Sequence, residues 1–161
     1  MPDRVICDTY PLFYLHRLRH LTLLQKLYRR ILVPEAVVAE LLAGRNQGED
    51  VPALTQYDWI EVHRVRTQNV LPLTSDLGSG ETEVLTLALE EPGSLVILDD
   101  RYAREVAAAR NIRLTGTAGI LVKAKRDGYL PAVKPLLDEL ERLGFHLSKV
   151  VQRNILACAQ E

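Results

Sequence analysis

Short apolar runs that alternate with segments of helical periodicity are the feature that most constrains how this chain folds. Strands are predicted at residues 5–7, 31–33, 95–98 and 112–114, and each run is followed by a helix-like segment. Strands that alternate with helices in this way form a mainly parallel sheet with helices packed on both faces. The sequence therefore predicts an α/β protein with three layers.

The predicted helices have recognisable ends. Pro34 suits the first position of a helix over PEAVVAELLA, and Gly44 is a plausible stop for it. Asn111 and Gly128 are expected to end two later helices in the same way. Residues 59–65 alternate as WIEVHRV and predict an edge strand, whereas residues 45–52 and 66–78 are predicted to be loops.

The length of 161 residues fits one domain spanning residues 1–161. Residues 131–161 are predicted to form two amphipathic helices, around 135–143 and 148–159, that cap the sheet or offer a surface to a partner. There is no run of about 18 apolar residues and no secretory signal, so the protein is expected in the cytoplasm and not in a membrane. The net charge of −1 means that nucleic-acid binding would depend on local patches.

Acidic residues follow two of the predicted strands. Asp8 comes directly after the first strand, and Asp99 and Asp100 come after the third. Ligands and catalytic groups collect at the carboxyl ends of parallel strands, so these acids are candidates for one site. The alternative is structural, because Asp8, or one of the two adjacent aspartates, would also serve as a helix cap.

Two glutamates on predicted helices join this set. Glu40 has only small or apolar neighbours at helical spacing, with no cationic partner, which makes it a candidate site acid. The alternative is a structural glutamate whose aliphatic stem lies at the edge of the buried face while its carboxylate reaches water. In GETEVLTLA, Glu81 aligns with the apolar face and is predicted to point inward. Glu83 is predicted to be a solvated acid of the first helical turn, and its change to Gln to be nearly silent. Oxygen ligands without histidine or cysteine suit Mg²⁺ or Mn²⁺ better than zinc.

Several segments in order resemble the PIN-domain family: CDT (7–9), PEAVVAEL (34–41), LGSGETEVLTLA (77–88), VILDDRYAREVA (96–107) and LTGTAGILVKAKRDG (114–128). The chain looks most similar to the prokaryotic branch related to VapC toxins. The resemblance implies a doubly wound sheet, Mg²⁺ or Mn²⁺ dependence and cleavage of single-stranded RNA, with the chain acting as the toxin of a toxin–antitoxin pair. The family's acids fall on five positions, with Asp100 favoured over Asp99 as the last acid: Asp8, Glu40, Glu81, Asp99 and Asp100.

Further residues are expected to contact substrate. The resemblance places the small hydroxyl of the family at Thr9 or Thr117. Tyr10 is a candidate stacking surface, and Lys123 belongs to a basic group that could follow phosphates, although basic residues on amphipathic helices are usually only a solvated face. Glu81 stands where many members have aspartate, and Tyr10 where serine is common. A homodimer and a cognate antitoxin are the expected protein partners.

Two rival functions stay open at this point. The first is a catalytically weak or inactive PIN-like protein that binds RNA or a partner protein and has kept the acids. The second is a receiver-like domain that is phosphorylated on one of the paired aspartates, although the GETEVLTLA helix would then have no role.

Overall fold

The computed structural model describes residues 2–67 and 76–161. In these residues five strands form one sheet, in which all neighbours are parallel and the order is β3-β2-β1-β4-β5. The strands are β1 (Val5–Cys7), β2 (Ile31–Pro34), β3 (Ile60–His63), β4 (Leu95–Ile97) and β5 (Arg113–Thr115). The predicted α/β fold with helices around a parallel sheet is confirmed, and residues 60–63 do form an edge strand.

Helices account for most of the remaining described chain. They are α1 (Thr9–Arg17), α2 (Leu23–Tyr28), α3 (Glu35–Asn46), α4 (Ser79–Glu90), α5 (Arg101–Ala109), α6 (Thr117–Arg126), α7 (Lys134–Arg142) and α8 (Lys149–Cys158). Helix α4 packs against β1, β2 and β4, and its Val84 and Leu85 are fully buried in the core. This packing fixes the first turn of α4 relative to the carboxyl ends of the central strands.

The direction of the chain across the sheet reverses between β1 and β4. From β1 the chain runs outward through β2 to β3, and it then returns to β4 on the other side of β1. In open parallel sheets, ligand-binding crevices form beside such a reversal, outside the carboxyl ends of the strands. Cys7 pairs in register with Ile97, and the Asp8 amide donates to the Ile97 carbonyl at 3.0 Å. The acids that follow β1 and β4 therefore meet at this position.

Two predicted helix limits are wrong. Pro34 is extended (φ −71°, ψ 159°) and pairs with His63 as the last residue of β2, so α3 begins one residue later. Gly44 lies inside α3, which continues to Asn46, two residues into the stretch predicted as a loop. A Cβ at Gly44 would lie 2.6 Å from Glu49 Oε2, so this glycine allows the chain after α3 to fold back closely.

The other predicted limits agree with the structure. Asn111 and Gly128 have positive φ angles of 57° and 86°, which suits residues that end helices. Most of the predicted 66–78 loop lies outside the described residues, but Gly78 precedes α4 as its N-cap. None of the helices in the described residues is long and apolar enough to cross a membrane.

The last two helices are anchored by the side chain of Glu161. Its carboxylate accepts from the Val133 and Lys134 amides, at 2.6 and 3.1 Å, and from Lys125 Nζ at 3.0 Å. Charge-assisted bonds of this kind are among the stronger ones in proteins. They connect the end of the chain to α6 and to the start of α7.

Candidate active site

Asp8 is the only buried acid in the part of the chain that the structure describes. Its side chain follows β1 and is 1% exposed, and its Oδ1 has no hydrogen-bond partner among the described residues. Burial raises the pKa of Asp8 from 3.8 to about 7; the Thr9 amide opposes the shift, and the charges of Glu81, Glu40 and Asp99 add to it. A buried carboxylate oxygen without a donor, among other carboxylates, suits a bound cation.

Glu40 reaches from α3 to the start of α4. Its Oε1 accepts from the Gly80 amide at 2.9 Å and from the Ser79 hydroxyl at 3.2 Å, and its Oε2 accepts from the Thr9 hydroxyl. A Cβ on residue 80 would lie 2.6 Å from Glu40 Oε2, so glycine is required for this approach. The carboxylate is thus held beside the helix N-terminus by donors and is not a tip that reaches into water.

Glu81 lies in the first turn of α4 on the side that faces the other acids. Its Oε2 accepts from the Gly78 amide at 2.8 Å. Burial raises the pKa of Glu81, the Gly78 hydrogen bond opposes the shift, and the charges of Asp100 and Glu40 add to it. The bond to Gly78 also makes Glu81 a cap of its own helix, so its role as a site acid stays a prediction.

The adjacent aspartates after β4 have different surroundings. Asp99 accepts from the Thr117 amide at 2.8 Å and from the buried Thr117 hydroxyl at 2.6 Å. Burial raises the pKa of Asp99, while the bonds from Thr117 and the charge of Arg104 oppose the shift. Asp100 is the N-cap of α5 and accepts from the Ala103 amide at 2.9 Å. One aspartate of the pair is therefore a helix cap, as the structural alternative proposed, although its charge still acts on Glu81.

The five acids surround one region but do not form a preformed metal-binding site. In residues 2–67 and 76–161, no three side chains of the histidine, cysteine, aspartate and glutamate types are close enough to hold an ion as they stand. Protein donors hold the carboxylates of Glu40, Glu81, Asp99 and Asp100 in place, whereas Asp8 Oδ1 has no donor. An all-oxygen set with one unpartnered buried member suits Mg²⁺ or Mn²⁺, and the carboxylates have to move closer together to share an ion.

A cavity of about 350 Å³ opens beside Glu40 and Glu81. Two predicted substrate residues line it: Thr9, whose hydroxyl donates to Glu40, and Tyr10, whose side chain is 52% exposed. Phe13 and Glu49 also line the cavity, and sequence reasoning missed both because their position depends on how α1 and α3 pack.

Lys123 is not brought to the acids. It lies in the last turn of α6, 3.4 Å from the Asp127 carboxylate, and it lines a different depression together with Tyr28 and Ile155. Thr117, by contrast, is fully buried at the start of the same helix and donates to Asp99. Gly80 and Ser79, which hold Glu40, were not predicted, although the glycine-rich turn GSGE was a signal for close backbone approach.

The prediction that Glu83 is a solvated acid is wrong. Its side chain is half-buried, and its Oε1 accepts from the Ala36 amide in the first turn of α3 at 2.9 Å. This bond satisfies an amide that has no acceptor within its own helix, and it joins α3 to α4. Glu83 therefore supports the two helices that carry Glu40 and Glu81.

Replacing Glu83 by Ala is expected to lower the free energy of unfolding by about 1–2 kcal/mol, because the Ala36 amide loses its acceptor. Glu83→Gln keeps an acceptor oxygen and should lose less. Urea unfolding of the two variants beside the wild type measures the difference. An Ala variant as stable as the wild type would show that the contact has no net effect on stability.

A sequence model of the PIN-domain family matches residues 4–161, and the chain belongs to that family. The family has a nuclease-type fold, its members are generally nucleases, and they typically use divalent metal ions. Among curated proteins, no sequence matches this chain.

Proposed function

We propose that the protein is a metal-dependent endoribonuclease that cuts single-stranded RNA at the cluster of Asp8, Glu40, Glu81, Asp99 and Asp100. The observation that carries the proposal is Asp8: a buried carboxylate at the strand reversal, with an oxygen that no described residue satisfies. Membership of a nuclease family supports the reaction class, and the oxygen-only donor set supports Mg²⁺ or Mn²⁺ as the cofactor.

The residues of the cluster have distinct tasks in this proposal. If these carboxylates held Mg²⁺ or Mn²⁺, the ion would lower the pKa of a bound water and offset negative charge on the phosphate. Asp8 would hold it through its unpartnered Oδ1, and Glu40 and Glu81 would offer oxygens from α3 and α4. Thr117 is a positioning residue, because its amide and hydroxyl fix both oxygens of Asp99.

Substrate contacts would come from outside the acids. Arg101 directly follows Asp100, and its side chain is 94% exposed and 3.5 Å from the Glu105 carboxylate. It could exchange this exposed partner for a phosphate of the RNA. Thr9 and Tyr10 line the cavity beside Glu40 and Glu81. Lys123 is a weaker candidate than the sequence suggested, because it lines a depression that contains none of the five acids.

A second candidate function is RNA or protein binding without efficient cleavage. It is favoured by one observation, namely that no metal cage stands ready among the described residues. The carboxylates have to move closer together to share an ion, and the free energy of ion binding has to exceed the loss of any amide bond, to Glu40 or Glu81, that this movement breaks. The two candidates make opposite predictions for metal-dependent turnover.

Incubation of the pure protein with labelled single-stranded RNA and with single-stranded DNA of the same sequence tests the proposal. We expect RNA to be cut in Mn²⁺ or Mg²⁺ and to stay intact in EDTA. Glu81→Gln should lose the cutting, whereas the matched glutamate variant Glu83→Gln should keep it. RNA that is bound but not cut in either metal would favour the second candidate, and cutting that persists in EDTA would refute the metal mechanism.

The proposal extends to the partners of the protein: a cognate antitoxin, with this chain as the toxin of the pair, and a second copy of the chain. The support is the resemblance to the VapC-related branch, together with the apolar surface of α8. This helix packs on α6, has no buried residue between Lys149 and Cys158, and exposes Val150 and Val151. Light scattering of the purified chain tests the homodimer, which a monomeric mass at micromolar concentration would contradict.

A further inference from the structure

The cavity beside the acid cluster has an aromatic wall. Its volume of about 350 Å³ lies within the range of roughly 300–1,000 Å³ that is usual for small-molecule sites. Tyr10 and Phe13 contribute aromatic rings to the lining, and Glu40 and Glu81 connect it to the proposed metal ligands. A group bound in the cavity therefore lies next to the place where the phosphodiester would be cut.

The ring of Tyr10 is held in place while staying open to a ligand. It stacks on Tyr14 with centroids 6.3 Å apart and planes 25° apart. Tyr14 in turn meets the rings of Phe13 and Phe145 edge-on, at 5.1 and 4.9 Å. Because Tyr10 is nevertheless 52% exposed, it offers a fixed stacking surface that loses little conformational freedom on binding.

The negative charge of the residues that line the cavity favours a base of the RNA over a phosphate. Three carboxylates line the cavity, those of Glu40, Glu49 and Glu81, and no lysine or arginine of the described residues does. Glu40 and Glu81 would share their charge with the proposed ion, whereas Glu49 would not. The part of the cavity beside Glu49 would therefore repel a phosphate but not a neutral aromatic base. Ionised carboxylates only accept hydrogen bonds, so the edge of the base that faces them has to donate.

Glu49 is the carboxylate best placed to read such an edge. It lines the cavity from the chain that follows α3, and its carboxylate lies against Gly44. No hydrogen bond to this carboxylate occurs within residues 2–67 and 76–161. Guanine presents two adjacent donors, N1–H and the 2-amino group, which match the two oxygens of a carboxylate.

We infer that the cavity receives one base of the RNA next to the cleaved bond, stacked on Tyr10 with its donor edge toward Glu49, and that guanine is the preferred base. The inference rests on the proposed function only for the identity of the substrate as RNA. The base site itself depends on the cavity, the aromatic stack and the carboxylate.

Nucleosides test the base site separately from cleavage, because they contain no phosphodiester bond. Saturation-transfer NMR of the full chain with guanosine, adenosine, cytidine and uridine would rank the four bases. We expect guanosine to bind most tightly and Tyr10→Ala to weaken it about 10-fold or more, since stacking is lost. Tyr10→Phe should bind as the wild type does, and Tyr129→Ala, which removes another exposed tyrosine, should have no effect.

Glu49→Gln tests the reading of the base edge. The amide replaces one acceptor by a donor, so the preference for guanosine over uridine should be lost while stacking on Tyr10 persists. Unchanged guanosine binding in Tyr10→Ala, or an unchanged preference in Glu49→Gln, would overturn the inference. So would a wild-type protein that cuts RNA but binds no nucleoside, whereas guanosine binding without RNA cleavage would refute the nuclease and keep the base site.

Discussion

Asp8→Asn is expected to lower metal-dependent RNA cleavage roughly 100- to 1,000-fold, the loss typical when one preorganised charge-stabilising group is removed from an active site. Asparagine has nearly the same shape, so the core around β1 should stay intact. It lacks the negative charge, however, and the oxygen of Asp8 that has no other partner is the one proposed to hold the ion. Initial rates of RNA cleavage in Mn²⁺ measure the effect.

The control for this variant is Asp138→Asn. Asp138 is an exposed aspartate on α7 that pairs with Lys134, so the change removes the same charge far from the cluster. Its cleavage rate should equal that of the wild type. Equal rates for Asp8→Asn and the wild type would remove Asp8 from the site, and with it the main reason for placing the metal there.

The metal-free protein is expected to lose stability as the pH rises from about 4 to above 7. The pKa of Asp8 is about 7 in the fold and 3.8 as the ordinary value, because burial disfavours the charged form. Between these values the native state binds more protons than the unfolded state, so stability falls with increasing pH. The full shift of the Asp8 pKa corresponds to about 4 kcal/mol in the free energy of unfolding. This contribution to stability is present below pH 4 and lost above pH 7.

Urea unfolding in EDTA at pH 4.5, 6 and 8 measures this loss. The pKa values of Glu81 and Asp99 are raised as well and add to the slope of the wild type, so the difference from Asp8→Asn isolates Asp8. The variant should be more stable than the wild type at pH 8, and this advantage should shrink toward pH 4.5. A constant difference across the pH range would mean that Asp8 is not protonated in the native state near neutral pH.

The strand ends could be predicted from the sequence because they depend on local pattern. Two apolar runs predict strands whose carboxyl ends carry an acid: VIC before Asp8 and LVIL before Asp99. Helical spacing alone also singled out Glu81, which lines the cavity beside Glu40. A parallel sheet then brings these positions to one edge without any knowledge of tertiary contacts.

The features that were missed depend on contacts between distant segments. Glu83 accepts from Ala36, 47 positions away, and helical spacing gives no signal for such a bond. Gly44 looked like a helix stop because the close approach of Glu49 is visible only in the folded chain. Lys123 lines a depression that contains none of the five acids, and its position depends on how α6 packs, which the sequence pattern does not show.

Mn²⁺ binding, measured by isothermal titration calorimetry at pH 8, tests whether the five carboxylates form one metal site. The account predicts that the wild type and Asp138→Asn bind Mn²⁺ equally and that Asp8→Asn binds it at least about 10-fold more weakly. Equal binding by the wild type and Asp8→Asn, or no binding by the wild type, would contradict the metal site at the reversal between β1 and β4.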